Sequence, residues 1–289
     1  ATGEGWAEAA NPSSGWWAGI PGQGVGRGVH RGGGGFCQTA TPGGSLTEGR
    51  AMHKVRLLGI NGSSRLRGNS QFLLEQALDE VRMVASAYVD CEVYGIATKS
   101  IAPCDSCYTC GKRGDCRIQD DFQELRDKWV NADAVIYSVP VYHMTIPGKL
   151  RCFIDRLGNS VWAREGDRFG KSLKVIGAIA QGSHIFSGQE HAITDLVNHA
   201  LLMGCVPISG DPWESYIGAS GWTRNSGDKN ALQKLYEEGD YDAQAAVRAA
   251  RSLGRRVVQL ALLIKTGGEH HRAMLEQDGG YSQFLKRLA

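Results

Sequence analysis

The sequence has no apolar run long enough to cross a bilayer. Its longest, "VVQLALLI" at 257–264, falls far short of the roughly 20 residues a spanning helix needs. It also has little charge imbalance: 32 Lys and Arg face 30 Asp and Glu, for a net +2. That near balance excludes wholesale binding to nucleic acid or to an acidic membrane surface. No basic segment followed by an apolar one opens the chain, so no secretory signal is read and a cytoplasmic protein is expected. Neither a Ser/His/Asp order nor paired carboxylates suited to hydrolysis is found. In a reducing compartment the clustered cysteines among the eight read as metal ligands or redox groups, not as a disulfide framework.

Residues 1–51 differ from everything after them. They hold 15 of the 39 glycines and three of the seven tryptophans (Trp6, Trp16 and Trp17), with runs such as "RGGGGF" and no hydrophobic period. Such a composition buries too little apolar surface to offset the entropy of ordering. The expectation is a disordered extension, translated from upstream of a start at Met52. Its glycines form no dinucleotide turn, because no strand precedes them and no helix follows.

From Lys54 the pattern alternates short apolar runs with amphipathic segments. Strands are expected at 54–61, 87–96, 132–142 and 173–181, with a last short one at "CVPISG". Helices are expected near 69–86, 120–131 (capped by Asp120 or Asp121), 147–157, 189–204 and 241–265. The positive run "RSLGRR" at 251–256 reads as a solvated helix face, and Cys91, Cys152 and Cys205 as buried core thiols. This order predicts an α/β fold with a doubly wound, parallel, five-stranded sheet over residues 52–265 and a tail at 266–289. Ligands then belong at the carboxyl ends of the strands.

Three loops at those ends carry chemistry. The first strand runs into "NGSSRLRGNS", where Gly62 permits a tight turn and Ser63, Ser64, Asn69 and Ser70 offer hydrogen-bonding groups. A helix starting at Asn69 or Ser70 turns its positive end to this loop, and Arg65 and Arg67 can neutralise a dianion, so a phosphate cradle is expected. Pro140, Val141 and Tyr142 lie where a flat ligand would rest, with His143 as a possible donor. Gly182, Ser183 and Gly188 bring backbone to the same edge. A mononucleotide with a planar ring fits, and FMN is that ligand.

The segment "PCDSCYTCGKRGDC" packs Cys104, Cys107, Cys110 and Cys116 into a loop spanning about 103–118. Consecutive C-x2-C-x2-C is the spacing with which ferredoxin-type loops wrap a cubane. Zinc sites more often use two separated C-x2-C pairs. The spacing therefore favours an iron–sulfur cluster over zinc or unliganded thiols, with Lys112 and Arg113 tempering the thiolate charge.

"GINGSSRLRGNS", "PCDSCYTCGKRGDCRIQDDF", "SVPVYHMTIPGKLRCFIDR" and "SGQE" together resemble the iron–sulfur flavoprotein branch of the NADPH-dependent FMN reductase family, within the flavodoxin-like superfamily. The resemblance covers about 54–265. It implies FMN with its phosphate on Ser63, Arg65, Asn69 and Ser70. It places the isoalloxazine on Pro140, Val141, Tyr142, His143, Gln181 and Gly182, and a [4Fe–4S] cluster on Cys104, Cys107, Cys110 and Cys116. It further implies homodimers or homotetramers. Residues 1–51 and the tail match nothing in that family.

The function expected is an oxidoreductase passing electrons from NAD(P)H or a ferredoxin-like donor to a small acceptor such as a quinone, a flavin or an oxygen species. Two other readings stand beside it: a flavodoxin-like carrier without a substrate, and a zinc-stapled flavin-binding module. The aromatic segment "GDPWESYIGASGW" (210–222), suited to covering a flavin face, favours the enzyme over the carrier.

Overall fold

The computed structural model describes residues 54–166, 170–211, 213 and 215–288. The disordered extension expected over 1–51 lies outside the described residues. Five strands, β1 (Val55–Asn61), β2 (Val89–Gly95), β3 (Ala134–Pro140), β4 (Val175–Gly182) and β5 (Val206–Pro207), form a parallel sheet in the order β2-β1-β3-β4-β5. A sixth, β6 (Ala219–Trp222), was not expected. It pairs in parallel with Ile179–Gly182, the half of β4 beyond the Val175–Ile176 stretch that β5 covers. The fifth place in the sheet is thus shared by two short segments, and part of the expected aromatic loop is strand.

Helices cover both faces. α1 (Asn69–Ala85) and the long α7 (Tyr241–His270) pack on one, where Leu57, Ile136 and Ile179 meet Leu74, Leu78, Leu253 and Val257. α3 (Phe122–Asn131), α4 (Gly148–Glu165) and α5 (Gln189–Leu202) cover the other, where Leu58, Val135, Tyr137 and Ala178 meet Trp129, Phe153 and Leu196. Burial on both sides explains why β3 and β4 read as near-continuous apolar runs. The short α2 (Thr109–Arg113) lies in the cysteine loop, and α6 (Ala231–Glu237) precedes α7.

Several expectations change. α4 runs past Leu157 to Glu165. The run 251–256 is not a solvated face: Ser252, Leu253 and Gly254 are buried, and a Cβ on Gly254 would lie 2.3 Å from the Ala77 carbonyl oxygen of α1. Its arginines are engaged, Arg255 with Glu80 and Asp211, Arg251 with Gln76. Cys205 is buried as expected, whereas Cys91 and Cys152 are half-exposed. α7 does not stop at Lys265. It continues to His270, and the chain folds back through α8 (Arg272–Leu275) and α9 (Ser282–Arg287), burying Leu275, Phe284 and Leu288.

Candidate functional site

At the carboxyl end of the sheet, β1 and β3 send their connections in opposite directions, since β2 lies on one side of β1 and β3 on the other. Open α/β sheets bind ligands at such a switch point. The crevice there is lined by Ser63, Arg65, Asn69 and Ser70 from the first loop, Pro140, Val141 and Tyr142 from the second, and Gln181 and Ser183 from the third. Eight of the ten expected flavin contacts are therefore brought together. His143 and Gly182 are not among the lining residues. Gly182 is packed instead against Ser187 and Gln189, where a Cβ would clash.

The first loop is shaped by its own polar groups. Ser63 N donates to Asn61 Oδ1 (3.1 Å) and Arg65 N to Ser63 Oγ (3.0 Å). α1 starts behind Gly68 with no acidic residue in its own first turn, so the N–H groups and positive dipole end there are not neutralised from within the helix. Asn69 differs from the expectation. Its Nδ2 donates to Asp228 O (3.2 Å) and its Oδ1 accepts from Leu232 N (2.9 Å), which ties the loop after β6 to the helix start.

That loop was missed in the sequence. Ser226, Gly227 and Asp228 line the crevice, and Arg65 Nη1 reaches Gly227 O at 3.3 Å. The signal was the Ser/Gly/Asn-rich "TRNSGDKN" after an unrecognised strand. The aromatic segment 210–222, by contrast, contributes no described residue to the crevice. Trp213 and Trp222 line a separate groove with Ile185 and Tyr241.

Tyr142–Thr145 closes as a tight turn with reciprocal backbone hydrogen bonds of 2.9 and 3.1 Å. His143 (φ 46) and Met144 (φ 69) occupy its left-handed central positions, conformations that cost non-glycine residues energy and gather at functional sites. Gly188 (φ 102) is needed opposite, because a Cβ there would lie 2.5 Å from Met144 Cα.

The enclosed part of the crevice measures 80 Å³. Pockets that bury whole small molecules run to about 300–1,000 Å³. A space of that size admits a phosphate-sized group but not a whole mononucleotide.

The second site lies on α4. Cys104, Cys107, Cys110 and Cys116 line one cavity of 340 Å³, walled by Arg117 and by Arg156, Asn159, Ser160, Trp162 and Ala163 of the helix. Left-handed backbone at Ser106, Tyr108 and Gly114 lets the short loop reverse repeatedly. Asn159 Nδ2 lies 3.6 Å from Cys104 Sγ, and hydrogen bonds from Thr109 hold the Cys107 thiol below its ordinary pKa. Among the described residues no three His, Cys, Asp or Glu side chains are drawn together as ligands of one ion. The thiols share a cavity without closing on a single point.

Asp120 is more than a helix cap. Its carboxylate pairs with the buried Arg156 at 2.7 Å. Burial pushes its carboxyl up, but Arg156 and the N–H groups of Ala102 and Phe122 outweigh this and hold it below the usual carboxylate range. No described residue lines both sites. α4 begins near the crevice at Gly148, and Arg156 lies eight residues on, about 12 Å along the helix.

The family model described as NADPH-dependent FMN reductase matches residues 55–213. An iron–sulfur flavoprotein of Methanocaldococcus jannaschii is 30% identical over 212 residues, covering 73% of this chain and 100% of that one. An iron–sulfur flavoprotein of Archaeoglobus fulgidus is 32% identical over 170 residues, 59% of this chain and 84% of its own. The solved structure of RosB with bound 8-demethyl-8-formylriboflavin-5'-phosphate superposes with a TM-score of 0.54 at 16% identity, over 77% of this chain and 87% of that one. Among the described residues no helix is long and apolar enough to cross a membrane. With its flavodoxin-like sheet and its match to that family model, the chain is a flavin-dependent oxidoreductase and belongs to the NADPH-dependent FMN reductase family, on its iron–sulfur flavoprotein branch.

Proposed function

We propose that this oxidoreductase binds FMN in the crevice at the β1/β3 switch point and a [4Fe–4S] cluster on Cys104, Cys107, Cys110 and Cys116. It passes electrons from a reduced donor, NAD(P)H or a ferredoxin-like protein, to a small acceptor such as a quinone, in the cytoplasm and as a homo-oligomer. The observation that carries this reading is that eight of the ten expected flavin-site residues line one crevice, and all four thiols line one cavity against α4.

When bound, FMN supplies two-electron and one-electron chemistry and the cluster one-electron chemistry. The chain's part is placement. The N–H groups at the start of α1, the hydroxyls of Ser63 and Ser70, and the Arg65 guanidinium hold the phosphate. Asn69 fixes the 226–228 wall and is a positioning residue, not a phosphate ligand. The 142–145 turn, braced by Gly188 and by a hydrogen bond from Thr145 to Asp195, presents Tyr142 to the ring.

Zinc fits the second site less well. A zinc–sulfur bond of about 2.3 Å requires four sulfurs in one tight tetrahedron. Four thiols spread around one cavity match a larger, multi-iron group better.

The test is the visible spectrum of anaerobically purified protein together with iron and labile-sulfide content. Flavin bands over a broad brown shoulder, with iron and sulfide in equal amounts, are expected. Zinc without sulfide would remove the cluster, and a colourless protein that takes up no added FMN would remove the flavin site.

A further inference from the structure

One guanidinium joins the two ends of the cysteine loop. Arg156 Nη1 donates to both oxygens of Asp120 (2.9 and 2.7 Å) and to Ala102 O (3.2 Å), while Nη2 donates to Ile118 O (2.7 Å). Asp120 in turn accepts from Ala102 N (2.8 Å) and Phe122 N (3.0 Å). Ala102 stands two residues before Cys104 and Ile118 two after Cys116. The loop therefore begins and ends on one ion pair. The Arg156 side chain is fully buried and that of Asp120 is 10% exposed. The guanidinium lies 4.2 Å from the Phe122 ring centroid, on the floor of the same domain core.

Arg156 also lines the cavity that the four thiols share. Its remaining donor, Nε, is buried and has no hydrogen-bond partner. Leaving a buried charged donor unmade is costly, so such an atom calls for an acceptor that the bare chain does not provide. Lys112, Arg113 and Arg117 are exposed, where water and salt screen their charge. Arg117 reaches the Cys107 thiol from the exposed rim, and the buried Arg126 pairs with Asp115 beside Cys116; Arg156 is the fully buried cation among the cavity's lining residues.

We propose that the Arg156–Asp120 pair positions the cluster and sets its reduction potential. This inference rests on the cluster reading above. Arg156 locks the loop ends so that the four cysteines face one space, and its buried guanidinium sets a positive charge in the wall of that space. Reduction adds negative charge to an already anionic centre. A buried cation favours that reduced state, whereas a buried carboxylate disfavours it. The two members of the pair therefore pull the potential in opposite directions.

The experiment uses the full chain, purified anaerobically. Iron, labile sulfide and FMN are measured first, and the midpoint potential of the cluster is then followed by EPR-monitored titration in wild type, Arg156→Gln, Arg156→Lys and Asp120→Asn. Arg156→Gln is expected to lower the potential and Asp120→Asn to raise it. Arg156→Lys, which keeps the charge but cannot serve both Asp120 and Ile118 O, should hold the potential near wild type while binding less iron.

A residue that only folds the loop would change iron content without opposite shifts in potential. Shifts of the same sign, or unchanged potentials in both charge variants, overturn the proposal. Iron content unchanged in Arg156→Gln, Arg156→Lys and Asp120→Asn would overturn the positioning role. If Arg156→Gln alone fails to load, Asp120→Asn decides. Wild-type protein without iron and sulfide would instead defeat the cluster reading itself.

Discussion

The ammonium of Lys265 lies 2.8 Å from the carboxylate of Asp133, both side chains buried beside the start of β3. Asp133 also accepts from Arg56 N (2.9 Å), and Lys265 donates to Lys54 O and Arg287 O (both 3.2 Å). The first strand, the third strand, the long helix and the C-terminal segment meet at one buried ion pair. The segment after residue 265 is therefore part of the folded unit and closes the sheet's amino-terminal edge.

Asp133 also faces Arg287 Nε at 3.4 Å and Arg56 Nε at 3.9 Å, so Lys265→Met leaves it partly compensated. The expected cost is below the about 3–5 kcal/mol of a buried pair broken outright. Equilibrium urea unfolding checks this, and Asp133→Asn, which strips both buried cations of their counter-charge, should cost more than Lys265→Met.

Arg65→Ala should weaken FMN far more than riboflavin, because the arginine is proposed to meet only the phosphate. A charge-assisted hydrogen bond of about 1.5–3 kcal/mol corresponds to a loss of roughly ten- to a hundred-fold in affinity. Titrating both ligands into the flavin-free protein measures it. Equal losses for the two would move Arg65 away from the phosphate.

Cys107→Ser should bleach the broad iron–sulfur absorbance and lower iron content while FMN stays bound, since the two sites share no described lining residue. Metal analysis beside flavin absorbance separates the outcomes. Iron and sulfide retained in full would exclude Cys107 as a ligand.

Gly188→Ala combines a left-handed backbone with contact on Met144 main chain at 2.5 Å. A cost of about 1–3 kcal/mol is expected, together with weaker flavin binding as the 142–145 turn is pushed aside. Thermal unfolding and FMN titration report the two effects independently.

His199 is buried on α5 against Trp129, and burial followed by the charge of Arg151 lowers its pKa from 6.5 to about 4. The folded chain therefore keeps this imidazole neutral where the unfolded chain protonates it. Its share of stability is complete above pH 6.5 and is lost as pH falls towards 4, by up to about 3 kcal/mol. Unfolding free energies measured across that interval should fall less steeply in His199→Gln than in wild type.

The sequence by itself determined what depends on local order. Short, near-continuous apolar runs marked β1, β3 and β4, helical periods marked α1, α5 and α7, and the loops directly after strands carried Ser63, Arg65, Ser70 and Tyr142 to one edge. The spacing of the four cysteines was equally local, and it foretold a shared site. Only the tertiary structure decided the rest, because it depends on contacts between residues far apart in the chain. β6 is four residues long and is a strand only because β4 leaves half an edge unpaired. Asn69 reads as a ligand until the 228–232 segment takes both ends of its amide. Asp120 reads as a helix cap until Arg156, 36 residues later, arrives as its partner. The tail reads as an appendage until its Arg287 is buried against Asp133 and Lys265. Burial makes an unpaired charge costly, and which charges are buried, and beside what, is fixed only when the helices dock on the sheet.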